Sequence, residues 1–401
     1  MRLDIANHHF DAVDRRKALK FGAGAAAAAA AVSTIGDVAP ADAAAGGGGG
    51  HFTDEMFDFE DVLANGWGIS PYGADDQRGT LNEITAKRTA RAMKLALGAG
   101  NKVEAYQLGE EMFNGFPAFP SDPPRLHDMF LLVGGVEAPQ EFVDAGGIQS
   151  FTEPLGVNEL TGLEERFAEN FTFQIATQVD GLNHVGTGQW YYNNNRLDDM
   201  ITPTGTTVLG NESMGPIATR GIIIDIVGLK VAAGMTDDFF IAPNGEPVLR
   251  DNYRITIDDI EHALYRQRFD RKILPGDVPI LHTGWTHLAR TDPGRYLAQE
   301  PGIYLAEARW LADKKVAMIA GDGWGLEVLD PAVTEGFVFP CHQELFGKYG
   351  IRIGEGFVTD SAIADNVYEG LLVITPENVP GATCGSSAPT LLSSRRVRPR
   401  S

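Results

Sequence analysis

The chain has 401 residues, 43% of them hydrophobic, with no long apolar span, so it reads as a globular protein of one large or two modest domains and demands no membrane crossing. A formal net charge of -21 at pH 7 disfavours nucleic acid as a partner, because phosphates would be repelled. Two cysteines, Cys341 and Cys384, supply neither a disulfide framework nor a Cys-X-X-Cys metal pair, and leave a single disulfide open.

Residues 1–50 carry a targeting pattern. Arg15, Arg16 and Lys17 precede an alanine-rich apolar stretch from Phe21 to Ile35, and Ala39, Ala41 and Ala43 then offer small-residue cleavage positions. The segment resembles a twin-arginine export signal followed by an Ala/Gly linker, which places the mature protein in the periplasm or outside the cell. Its glycines are not a phosphate loop, since no strand precedes them. Residues 51–392 show no repeat and no second low-complexity break, and read as one domain. Residues 393–401, with Arg395, Arg396, Arg398 and Arg400, read as a frayed basic tail.

Within the domain, Thr85 caps a predicted helix from Ala86 to Leu97, and a strand from Val103 to Leu108 follows. Gly109–Pro124, rich in Gly, Pro and Phe, reads as a long loop able to wall a pocket, with Phe113, Phe116 and Phe119 as core pins. Apolar Phe171, Phe173, Ile175 and Val179 alternate with polar Thr172, Gln174 and Gln178, the period of a half-buried strand. That strand delivers Asp180 and His184 into a loop, an acid and an imidazole suited to a metal site or an acid/base pair. The same pair is equally compatible with a capping Asp and a packed His.

Gly221–Val227 is a buried strand containing Asp225, read as a hydrogen-bonded structural acid. Thr256 caps a helix to about Arg268, Val278–Thr283 is a strand, Tyr304–Ala312 a helix, and Val316–Ala320 a strand ending in the sharp turn Gly321–Gly325. A short helix from Pro340 to Gly350 and a strand Ile351–Ile353 set His342 and Glu355 at opposite ends of one hairpin, where the two ends can lie close. This alternation predicts a mixed α/β domain. A Gly-X-Ser-X-Gly elbow, a Walker loop and a His-Glu-X-X-His helix are absent, so nothing supports a nucleotide cofactor or a serine-acyl mechanism.

Together these residues resemble the cyclase-like metal-dependent hydrolase family that includes kynurenine formamidase and isatin hydrolase. Its signature, His-X-Gly-Thr-His-X-Asp-X-Pro-X-His, lies on residues 174–184 without a gap. It matches Thr177, Asp180 and His184, and is replaced by Gln174, Gln178 and Leu182 at the two first histidines and the proline. Further family-like stretches are Gly73–Asn82, Arg220–Asp225, Pro275–Asp277, Thr283–Trp285, Gly321–Gly325 and His342–Leu345 through Glu355. The resemblance implies a mixed-sheet domain of the kynurenine formamidase-like, swivelling β/β/α type, and a homodimer or homotetramer. It also implies a divalent metal ion, manganese or zinc, held by Asp180, His342 and Glu355 with Gln174 and Gln178 at ligand positions. His184 is then the catalytic acid/base, and Asp322 and Trp324 contact a small-molecule substrate. The glutamines, with neutral amide oxygens in place of imidazoles, favour manganese or magnesium over zinc or leave the site without metal. The implied reaction is hydrolysis of the C-N bond of a small cyclic or aryl amide, with lactone hydrolysis or a cyclase/dehydratase reaction as variants. The alternative is a non-catalytic exported binding protein.

Overall fold

The apolar run around Gly221–Val227 becomes the middle of a nine-stranded mixed sheet in the computed structural model, which describes residues 52–98, 102–268, 272–394 and 396–400. The export-signal and linker reading of residues 1–50 lies outside these. In chain order the strands are β1 (Glu104–Gln107), β2 (Gln178–Asp180), β3 (Ile217–Asp225), β4 (Val278–His282), β5 (Met318–Gly321), β6 (Arg352–Glu355), β7 (Glu369–Ile374), β8 (Cys384–Ser386) and β9 (Thr390–Ser393). Their spatial order is β1-β9-β7-β3-β4-β5-β6-β2-β8. β3, β4, β5 and β6 run parallel, and the flanking pairs are antiparallel.

Both faces of the parallel strands are covered, as their unbroken apolar composition requires. Successive side chains point to opposite faces. Ile222 and Ile224 therefore enter one core with Leu281, Ile319 and Ile353, while Ile223 enters a second with Ile280, Met318 and Leu372. The expected helices form with their expected caps: α1 (Ala86–Leu97) on Thr85, and α3 (Ile257–Arg266) on a Thr256/Asp259 capping box. Asp225 is the structural acid expected of it. It ends β3 and caps α2 (Ile226–Ala232) by accepting from the Gly228 N–H. Cys341 and Cys384 are both buried and free, so they do not pair.

Two expectations are corrected. The half-buried strand over 171–179 is only the fully buried β2, because Ala176 takes a φ of 58° that breaks extension. Its phenylalanines alternate for another reason: Phe171 packs edge-on to Phe173 and lies 4.7 Å from Phe167, an aromatic cluster outside the sheet. The C-terminal tail does not fray, since β9 runs to Ser393, Arg396 pairs with Glu104 and Asp365, and the Arg400 guanidinium sits 3.8 Å from the Tyr265 ring centre. An arm that the sequence reading did not foresee spans residues 129–167, where strand Met129–Gly134 pairs with Ile148–Gln149 and Gly162–Phe167.

A buried ion cluster fastens the sheet. Arg220 on β3, 1% exposed, reaches Asp277 at 2.9 Å and Glu369 at 2.6 Å, tying β3 to β7 and to the turn before β4. Removing the cation strands two buried carboxylates, so Arg220→Ala should lower unfolding stability by about 3–5 kcal/mol in urea titrations. At the end of β4, His282 lies 3.3 Å from Asp322 and 3.0 Å from the Thr359 hydroxyl. Burial opposes its charge, but the hydrogen bond and charge of Asp322, with Asp225 and Asp360 behind it, raise its pKa to about 9. Since the folded value exceeds the unfolded one, this stabilisation is complete below about pH 6.5 and is lost as pH rises through 9. His282→Gln should flatten that alkaline slope of stability; a slope unchanged in the variant would contradict the assignment.

Candidate metal centre

β2 docks antiparallel on β6 with Gln178 directly opposite Glu355. The two-residue period of a strand puts Asp180 on the same face as Gln178 and turns Val179 into the opposite core. Helix α4 (Pro340–Gln343) precedes β6 and brings His342 over that face. One ligand atom each from Asp180, His342 and Glu355 lies within 4.8 Å of the others, and all three residues are buried. The hairpin proximity of His342 and Glu355 is thus realised, with His342 Nε2 3.5 Å from Glu355 Oε1.

The electrostatics of this group follow from burial. Desolvation, then the charge of Glu355, pushes the Asp180 carboxyl well above its ordinary range, with His342 pulling the other way. Burial alone would lower His342. The hydrogen bonds to Glu327 and Glu355 overcome it and raise the imidazole to about 10. Burial, reinforced by the charges of His342 and Arg125, depresses His184 to about 3, so its ring is neutral over the physiological range. Asp180 Oδ2 and Gln178 Oε1 are buried without a hydrogen-bond partner among the described residues. Two close carboxylates, an imidazole and two unspent oxygen lone pairs fit a divalent cation.

Gln178 and Gln174 form a relay. The Gln178 amide donates to Glu355 Oε2 at 2.7 Å and to Gln174 Oε1 at 2.9 Å, and approaches Asp180 Oδ1 at 3.5 Å. With its oxygen accepting from Gln178, Gln174 turns its own NH2 to His184 Nδ1 at 3.3 Å. The donated hydrogen occupies the Nδ1 lone pair and places the ring proton on Nε2.

Glu327 was missed by sequence reasoning, and no local pattern marks it. It accepts from the backbone N–H groups of Cys341 and His342 at 3.0 Å each and lies 2.6 Å from His342 Nδ1. This fixes the tautomer that leaves Nε2 facing Glu355, the arrangement in which a carboxylate orients a metal-binding imidazole.

A cavity of about 200 Å³ opens beside the triad, lined in part by His184, His342 and Glu355 and walled by Phe119, Trp324 and Phe339. Phe119 lies 5.3 Å from Trp324 and 6.0 Å from Phe339, so it is a pocket wall rather than a core pin; Phe116 is the core pin. Trp324 is held rigidly, its indole N–H donating to the Tyr296 carbonyl at 2.6 Å and its backbone N–H to Glu300 at 2.7 Å. Asp322 is not among the cavity's lining residues. Its oxygens accept from the Thr283 hydroxyl and from the backbone N–H groups of Thr283 and Gly284, which shapes the turn beneath. Arg125 also lines the cavity and was likewise not singled out from sequence, although it closes the aromatic loop that was.

No curated protein matches the chain. Among solved structures, a novel cyclase shares 26% identity, covers 84% of this chain and 99% of its own, and superposes with a TM-score of 0.63. Isatin hydrolase A from Ralstonia solanacearum is 16% identical over 78% of this chain and 98% of its own, with a TM-score of 0.47. A potential metal-dependent hydrolase with cyclase activity is 16% identical over 73% of this chain and 99% of its own, with a TM-score of 0.41. The mixed α/β fold is thus that of the cyclases. The Cyclase family profile matches residues 106–328, more than half of the chain, which takes in the Gln174–His184 stretch and the turn bearing Trp324. By that match the chain belongs to the cyclase family.

Proposed function

We propose that this cyclase-family protein is a metal-dependent hydrolase of the C-N bond in a small cyclic or aryl amide. The observation that carries the reading is the buried Asp180, His342 and Glu355 triad beside an aromatic-walled cavity. Asp180, His342 Nε2 and Glu355 would hold the ion, with Gln178 beside them as a neutral donor. When bound, a divalent ion supplies Lewis acidity toward a carbonyl and acidifies a water. The water oxygen adds to the carbonyl carbon, the C-N bond breaks, and the proton that the water gives up ends on the leaving nitrogen. His184, neutral with its proton at Nε2 and its Nδ1 held by Gln174, donates a hydrogen bond to the carbonyl oxygen or the leaving nitrogen and keeps its proton. Glu327 keeps His342 in the ligating tautomer. Lactone opening would use the same groups.

A second reading, a binding protein without turnover, is favoured by one feature. The Gln178 amide N–H groups already donate to the carboxylate that a cation would otherwise neutralise. Elemental analysis of protein purified without chelator, followed by amide and lactone assays with added manganese or zinc, separates the two. The hydrolase reading expects about one ion per chain, loss of activity of at least about 100-fold in Asp180→Asn, and zinc affinity raised on the order of tenfold in Gln178→His. Protein that takes up neither metal and turns over no substrate is the binding protein.

Self-association is part of the same proposal. Eleven of the twenty-five large exposed apolar side chains among the described residues lie between Met129 and Phe167, including Leu131, Val157 and Leu163. The Gly162–Phe167 strand is exposed along its whole length. A three-stranded sheet with so little buried needs a cover. The occupant is a second copy of the chain. Light scattering should give a dimer or tetramer that Leu163→Glu with Val157→Glu converts to monomer; a monomeric native protein would refute it.

A further inference from the structure

Helix α1 departs from the charge balance of the chain. The sequence holds 54 acidic and 33 basic residues, yet the 12 residues of α1 include Lys87, Arg88, Arg91 and Lys94 and no carboxylate. Lys87 and Arg88 stand in its first turn, where the helix dipole disfavours cations, so helix stability does not account for them. Thr85 caps the helix end with its own side chain. The four cations instead line the flank of α1, which faces the turn before β4 across a cavity of about 610 Å³ completed by Ala90, Leu274 and Pro275. Among the described residues no acid lines this cavity. Two of the cations are anchored: Arg88 lies 2.6 Å from Glu83, and Arg91 lies 3.3 Å from the buried Asp277 that also holds Arg220. Lys87 and Lys94 are exposed and make no ion pair with a described residue.

We propose that this cavity binds a small oligophosphate, at a site that shares no lining residue with the cavity beside the metal centre and does not depend on the hydrolase reading. Lys87, Arg91 and Lys94 recur at i, i+4 and i+7, so they follow one flank of the helix over about 10 Å. That reach suits a short chain of phosphates, with the flexible lysine stems making up the difference. The anchored guanidiniums offer paired N–H donors to phosphate oxygens, and the ammoniums close on the same anion as point charges. At physiological salt the field of the distant acids is screened beyond about 8 Å, so at contact distance the four cations decide what binds. A long polyanion or an anionic membrane would reach past this patch to the rest of an acidic molecule and be repelled, whereas a small anion meets only the cations. No aromatic ring lines the cavity to stack a base, so the phosphates themselves are the recognised group. An occupant also engages Arg91, whose partner Asp277 belongs to the ion cluster that fastens β3 to β7, so binding stabilises the sheet from its edge.

Calorimetry on the full chain at about 150 mM salt compares inorganic triphosphate with orthophosphate and with ATP. Triphosphate should bind at about one per chain, about tenfold or more tighter than orthophosphate and within about threefold of ATP, and should raise the melting temperature. Lys87→Glu with Lys94→Glu should weaken triphosphate by at least about tenfold, while Lys87→Arg with Lys94→Arg should keep it within about threefold. Both lysines are exposed, and Lys87→Gln with Lys94→Gln reads the same loss should the charge reversal disturb the fold. Absence of triphosphate binding to the native protein overturns the proposal. Binding that the double glutamate variant leaves unchanged puts the anion elsewhere, the metal centre included, and also overturns it. ATP held far more tightly than triphosphate would make this a nucleotide site instead. Capture by phosphatidylserine vesicles without triphosphate binding would make α1 a membrane dock, and either result refutes the oligophosphate site. None of these readouts uses turnover, so the hydrolase reading stands or falls separately.

Discussion

Burying the Asp180 and Glu355 carboxylates on adjacent strands would cost several kcal/mol per charge if nothing answered them. Most of the architecture around β2 and β6 answers them. His342 stands over one side and is itself fastened by Glu327, whose two oxygens also hold the first turn of α4. Gln178 donates across the strand pair to Glu355, and Arg125 adds positive charge from the loop. The site is a negative hole with a partial set of positive fillings, and a divalent cation would complete it.

The same constraint explains the glutamines. An imidazole at position 178 would offer the ion a softer and stronger donor; an amide offers a neutral oxygen to an ion and an N–H to a carboxylate in its absence. Gln178 therefore suits both a loaded and an empty site. Its orientation passes through Gln174 to His184, so the carboxylate at Glu355 sets the tautomer of an imidazole that it does not touch.

The polar groups of the sheet are arranged by topology. Asp225, His282, Asp322 and Glu355 all sit at or just past the C-terminal ends of the parallel strands β3, β4, β5 and β6. Three of them secure the edge: Asp225 caps α2, and His282 and Asp322 bind each other and the turn after β4. Only Glu355 enters the candidate centre. The cavity lies where the parallel run meets the reversed β2, a place where chain direction changes and loops part.

Local order along the chain carried the helices at Ala86–Leu97 and Ile257–Arg266, the buried parallel strands, and the pairing of His342 with Glu355, because caps, apolar runs and a tight hairpin are written within a dozen residues. Asp180 and His184 entered as candidates through the resemblance of residues 174–184 to the family signature; the local pattern alone was equally compatible with a capping Asp and a packed His. Three things were not readable locally. The aromatic alternation before Gln178 mimics a strand, and only the left-handed turn at Ala176 and the packing of Phe171 show otherwise. Glu327 and Arg125 reach the centre from loops that no periodicity marks. The exposure of the arm at 129–167 depends on what the remaining chain leaves uncovered. Short-range physics fixes elements and caps, whereas which carboxylate orients His342 and which cation faces the cavity are decided by contacts between segments far apart in sequence, and exist only once the sheet has closed.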